Sequence, residues 1–216
     1  MKRRDFSAVL ATGALGATVM MNPALAQGGP PVAGKDYLRL GTPLPAPSNG
    51  KIEVFDFFSY ACPHCNAFGP TLDAWAKKLP ADVTVRRIPV PFLMNAENFQ
   101  RLYFSLEAMG LVDALHRKVF AAIHVDRARL DTPADIAAFM AKNGVDSAKF
   151  MDVFKSFSVQ TKARQATHLA QAYKLDGVPA LGVQGKYFTS PSLAGSPERA
   201  LAVVDYLIQQ LRNGKG

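Results

Sequence analysis

The chain has 216 residues, 49% of them hydrophobic and 19% charged, with 25 Lys and Arg against 17 Asp and Glu. That length and apolar fraction support one domain, or one domain with a large insertion, and exclude disordered, collagen-like and low-complexity classes. Two cysteines are too few for a disulfide-stapled scaffold, so their chemistry is local.

The first predicted element is a leader. Lys2, Arg3 and Arg4 precede an uncharged, mostly apolar stretch from Ala8 to Met21, and Ala24-Leu25-Ala26 sets small residues ahead of Gln27. The stretch is shorter than the about 20 residues of a membrane-spanning helix, so the expectation is export to the periplasm with cleavage after Ala26. Arg3-Arg4-Asp5-Phe6 matches the twin-arginine export pattern only in part. Basic residues of the remaining chain are scattered, which fits a weakly cationic surface and no nucleic-acid partner.

Gln27 to Pro47 is rich in Gly and Pro, with Tyr37 to Leu40 as a short strand. Ile52 to Phe58 is a β-branched and aromatic run that reads as a buried central strand. Pro63 to Leu79 has helical periodicity, with Phe68, Leu72, Trp75 and Leu79 on one face and Pro70 placed to kink it. Val83 to Val90 is a second strand. From Asn95 to Gln165 every signal is helical. Ala96 to Met109 stops at Gly110, and Leu111 to Val125 follows. Thr132-Pro133 opens a helix closed by Gly144, and Ser147 caps Ala148 to Phe157. A further helix from Thr161 to Leu175 stops at Gly177. Strand Ala180 to Gln184, a turn at Gly185-Lys186 and strand Tyr187 to Thr189 make a hairpin. Ser196 caps the last helix, with Leu201, Val204, Leu207, Ile208 and Leu211 as its apolar stripe.

This order predicts an α/β fold whose mixed sheet combines a β-α-β crossover with an antiparallel hairpin. A connection of about 70 residues between strands must carry structure of its own. The expected organisation is a leader over 1–26, a sheet domain over 27–94 and 166–216, and an all-helical insertion over 95–165.

Cys62-Pro63-His64-Cys65 follows the apolar strand and opens the first helix. Two intervening residues on a first helical turn bring the cysteines within disulfide range. Unpaired N–H groups and the helix dipole then favour a Cys62 thiolate. Pro63 suits the first turn, and His64 can add a hydrogen bond or a positive charge. A structural disulfide in so short a loop would restrain the unfolded chain weakly. A metal site would need a fourth ligand, and His116, His124 and His168 lie at no ligand spacing, as ordinary core or surface histidines do. Redox chemistry is the favoured reading. Asp56 is the odd residue of its strand: inside an apolar run its pKa rises with desolvation, unless alternation turns it outward.

The strand–CxxC–helix order, Pro70, and Gly177-Val178-Pro179 before a hairpin resemble thioredoxin-like proteins. More closely, Phe57-Phe58-Ser59-Tyr60-Ala61-Cys62-Pro63-His64-Cys65, the helical insertion, Ala180 after the proline and Gly185-Lys186-Tyr187 resemble the DsbA family of periplasmic thiol:disulfide oxidases. The resemblance implies a thioredoxin-like fold and a dithiol oxidase acting on folding exported proteins through Cys62 and Cys65. It implies a cis Pro179 facing the cysteines, with the Val178 backbone able to pair with a substrate strand. It implies a buried acid at Asp56 assisting proton transfer at Cys65, with its basic partner near Arg87 or, one register away, Arg86. Arg cannot share a proton, so a relay through that pair is in doubt. It further implies a monomer reoxidised by a DsbB-like, quinone-linked membrane partner, with no cofactor beyond the cysteine pair. The rival readings are a disulfide isomerase or reductase and a redox-inactive peptide-binding chaperone. Relatives of the isomerase kind add an N-terminal dimerisation domain and often carry Thr where Val178 stands.

Overall fold

The computed structural model describes residues 29–45 and 50–214, so the leader and its cleavage point at Ala26 lie outside the described residues. Strands β1 (Leu38–Arg39) and β2 (Ile52–Phe58) come first, then helix α1 (Pro63–Ala76) and β3 (Val83–Pro89). Five helices follow: α2 (Ala96–Ala108), α3 (Val112–His124), α4 (Pro133–Lys142), α5 (Ser147–Lys155) and α6 (Phe157–Ala172). The hairpin β4 (Ala180–Val183) and β5 (Tyr187–Thr189) precedes α7 (Pro191–Ala194) and α8 (Pro197–Arg212).

The sheet is mixed, in the order β1-β5-β4-β2-β3. β2 pairs with β3 in parallel, Asp56 opposite Arg87, and with β4 antiparallel, Asp56 opposite Leu181. Paired on both edges and covered on both faces, β2 buries every side chain from Val54 to Phe58, which is why its sequence runs apolar without alternation. Pleating sends Val54 to one side, with Phe68 and Leu72 of α1 and Leu201 and Val204 of α8. Phe55 and Phe57 face the other side, toward Leu102 of α2 and Ala166, Ala170 and Tyr173 around α6. Full burial of a ring such as Phe57 contributes about 1.5–3 kcal/mol.

Several local expectations shift by a few residues. α5 is capped by Asp146, whose Oδ1 accepts from Lys149 N at 3.0 Å, rather than by Ser147. Ser156 breaks the chain to ψ 150 and caps α6, which therefore starts at Phe157 instead of Thr161. The boundary expected between residues 165 and 166 falls inside α6, an unbroken helix. The hairpin's left-handed positions are Gln184 (φ 53) and Gly185 (φ 65), one residue before the expected Gly185-Lys186, and Lys186 N donates to Val183 O at 3.0 Å. Two positive φ values in succession give the turn the twist of its strands. α1 runs through Pro70 as a single helix. The four-residue α7, started by Ser190 and Pro191, has no counterpart in the sequence reading.

Candidate active site

Ser59 to Cys62 link β2 to α1, and the N-cap of α1 is Cys62 (φ −90, ψ 112). An N-cap side chain accepts from the free N–H groups of the first turn, and here sulfur takes that role: Cys65 N donates to Cys62 Sγ at 3.1 Å. Pro63 occupies the first helical position, where a missing N–H costs nothing. Both cysteines are free thiols. The Cys62 thiol is pulled down to about 7, chiefly by the Cys65 thiol and then by backbone N–H groups of Cys65 and His64. The Cys65 thiol is pushed strongly up, first by burial and then by the sulfur of Cys62. One helical turn thus favours the thiolate at one sulfur and disfavours it at the other.

Both cysteines are buried, each 4% exposed. The second wall is the segment before β4, where Val178–Pro179 is a cis peptide. Cys62 Sγ lies 3.4 Å from Val178 O, placing the thiol as donor to that carbonyl. Sequence neighbours alone would leave the first-turn sulfur in solvent; the chain that returns 116 residues later covers it.

Asp56 points inward and is buried. Desolvation raises its pKa to about 7, against the attraction of Arg87, whose Nε lies 3.6 Å from Oδ2. Arg87 also donates to Asp73 of α1 at 2.5 Å. The sheet register decides between the two candidate arginines: Arg86 pairs with Glu53 at 2.9 Å and lies over the Phe55 ring. Asp56, Cys65, Asp73, Arg87 and Pro179 border one small cavity of about 10 Å³ behind the cysteines, the size of a single water.

The chain and its fold are similar to known proteins. The family described as DSBA-like thioredoxin domain matches residues 91–199. The thiol:disulfide interchange protein DsbA of Bordetella pertussis is 45% identical over 98% of this chain and 100% of its own. The protein of the same name from Pseudomonas aeruginosa is 43% identical over 83% of this chain and 85% of its own. The chain belongs to the DsbA family. It is an enzyme, a thiol:disulfide oxidoreductase with the thioredoxin-like DsbA fold. The crystal structure of P. aeruginosa DsbA superposes with a TM-score of 0.81 at 42% identity, over 85% of this chain and 95% of that one. Oxidoreductase DsbA from Xylella fastidiosa gives 0.79 at 31% identity, over 85% and 98%.

Around the cysteines of this DsbA-family chain, the structure brings in residues that sequence reasoning set aside. His116 of α3 is buried, its Nδ1 2.8 Å from the Tyr60 hydroxyl, and burial with the charges of Arg87 and Arg117 lowers its pKa to about 3. His124, two turns on, meets Tyr60 O at 2.8 Å through Nε2. The two histidines hold Tyr60, and so the end of β2, from α3. Their spacing with Phe120 along one helical face was the available signal, but nothing local linked that face to Tyr60. His64 is exposed, and its effect on Cys62 comes through its backbone N–H. Among the described residues, no three His, Cys, Asp or Glu side chains are grouped as metal ligands would be. No helix among them is long and apolar enough to cross a membrane.

Proposed function

We propose that the enzyme works as an oxidase of exported proteins, with Cys62 as the sulfur that meets substrate and Cys65 as its buried partner. The observation that carries this reading is the split between the two thiols, one lowered to about 7 and the other raised. A substrate thiolate attacks Cys62 Sγ of the Cys62–Cys65 disulfide; that bond breaks, and Cys65 leaves as a thiolate and takes up a proton. A second substrate thiolate then attacks the substrate sulfur of the mixed disulfide, and Cys62 leaves with the electron pair. The substrate gains a disulfide, and two electrons rest on the dithiol. A sulfur with a lowered pKa is the better leaving group, which drives the exchange toward oxidised substrate.

Asp56 is the group placed to supply the Cys65 proton, since both border the same cavity and its carboxyl titrates near neutrality. Arg87 keeps its proton and acts as a fixed charge. Pro63 and His64 shape the turn around Cys62, and Val178 and Pro179 form the wall along which an extended substrate segment lies. The rest of the reading follows from the family. The leader directs the chain to the periplasm and is cleaved after Ala26, and the helices between β3 and β4 are an insertion in the sheet domain. The protein acts as a monomer on folding proteins with paired thiols, is reoxidised by a DsbB-like quinone-linked membrane protein, and needs no metal or organic cofactor.

Reaction of Cys65→Ala and Cys62→Ala with a disulfide-bonded peptide tests the assignment. The mixed disulfide should accumulate on Cys65→Ala, through Cys62, and hardly at all on Cys62→Ala. Equal trapping on both, or trapping on Cys65 alone, overturns the roles.

A further inference from the structure

Arg117 projects from α3 of the helical insertion onto α1, the helix that carries the cysteines. Its Nη2 donates to Asn66 O at 3.0 Å and to Asn66 Oδ1 at 3.1 Å. Asn66 directly follows Cys65, and its own N–H donates to Cys62 O at 3.1 Å. The carbonyl that Arg117 reaches is a particular one. In a helix Asn66 O would accept from the N–H four residues on, and that residue is Pro70, which has none. A half-buried carbonyl stripped of its helical donor calls for another partner.

Gly69 makes room for the substitute. A Cβ at residue 69 would lie 2.2 Å from Arg117 Nη1, so any side chain there would displace the guanidinium. Phe120, one turn along α3, holds the group from below, its ring centroid 5.3 Å from Arg117 Cζ. Nη1 is buried and meets no hydrogen-bond partner among the described residues, and Arg117 lines the small cavity that Cys65 and Asp56 share. Proline at 70, glycine at 69 and arginine at 117 thus form one arrangement, in which the insertion replaces a donor that the catalytic helix lacks.

We infer that Arg117 is a positioning residue for the redox reaction: by donating to Asn66 O in place of the absent Pro70 N–H, it holds the first turn of α1 in the geometry that stabilises the Cys62 thiolate. The inference rests on the reading of Cys62 as the reactive sulfur. Cys65 N reaches Cys62 Sγ only while residues 62–66 keep their helical turn, and Asn66 is the last link of that turn. Besides Cys65, the titratable or charged groups near this turn are His64 on α1, Asp56 on β2, Asp73 on α1, Arg87 on β3 and His116 on α3, and the test leaves all of them in place.

The measurement is the thiolate absorbance of the reduced full-length protein against pH, in the parent and four variants. Arg117→Met removes the donor, and Gly69→Ala displaces it while keeping the charge and improving helix propensity. Each should raise the Cys62 pKa by about one unit, a tenfold loss of thiolate below it. Pro70→Ala, added to either variant, restores a backbone N–H four residues after Asn66 and should return the pKa to the parent value. A pKa unmoved by both single variants overturns the inference, as does a rise that Pro70→Ala leaves uncorrected, which would trace to the arginine charge or to general loosening. Gly69→Ala keeps the test available if Arg117→Met folds poorly. Alkylation mapping of the parent at neutral pH separates the two layers: label on Cys65 defeats the reading of Cys62, whereas label on Cys62 with unmoved variants defeats only the role of Arg117.

Discussion

Comparing the reduced and oxidised proteins across pH tests the electrostatics of Cys62 directly. In the folded dithiol its thiol sits at about 7, against 9.0 for an unperturbed cysteine, because Cys65 donates to the sulfur through its thiol and its N–H. A lowered folded pKa contributes stability that is complete above the unfolded pKa and is lost as pH falls through the folded value. For this pair of values the contribution is about 0.1 kcal/mol at pH 6, about 0.4 at pH 7 and about 1.4 at pH 8. The disulfide form has no thiolate and lacks this dependence. Closing so short a loop adds about 2 kcal/mol to the oxidised form in the chain-entropy account, but that amount does not vary with pH. Asp56 is present in both forms, so taking the difference cancels most of its titration. Cys65, pushed up by burial, enters only where unfolded cysteine ionises. The stability of the reduced form relative to the oxidised form should therefore grow by about 1.3 kcal/mol from pH 6 to pH 8, or about 3–5 °C in melting temperature for a chain of this size. Paired calorimetric scans at constant ionic strength measure it. A difference that stays flat, or that shrinks as pH rises, refutes the stabilised thiolate.

Three further outcomes follow from buried polar groups and a helix cap. Asp56 is raised from 3.8 to about 7 by burial, so its contribution favours the folded state at low pH and is lost as pH rises through the folded value. Asp56→Asn should accordingly stabilise the oxidised protein at pH 8 by about 2–4 kcal/mol and change little at pH 4; denaturant titrations at the two pH values check this, and equal effects at both would contradict it. Tyr60→Phe removes the hydroxyl that meets His116 Nδ1 and leaves a buried ring nitrogen unpaired, a loss of about 1–3 kcal/mol readable as a lower urea midpoint. Thr132→Ala breaks the capping box with Asp135 at the start of α4 and should cost about 1 kcal/mol while thiol oxidation by the enzyme proceeds at the parent rate.

What could be read from the residues alone is what short-range physics controls. Cys62 as the cap of α1, Pro63 at its first position, the Thr132-Pro133 and Ser196-Pro197 helix starts and the uninterrupted apolar run of β2 each depend on atoms within about four positions of one another. Where such cues compete at close quarters, as Asp146 with Ser147 or Thr161 with Ser156, the reading slipped by a residue or a turn, because adjacent residues offer the same chemistry. The site required more. Whether Asp56 faced inward, and whether Arg86 or Arg87 answered it, were settled by the β2–β3 register, which no local pattern encodes. Val178 reaches Cys62 across 116 positions, His116 reaches Tyr60 across 56 and Arg117 reaches Asn66 across 51. Those contacts exist only after the sheet has paired and the helices have packed onto it, since partners so far apart meet through the geometry of whole elements.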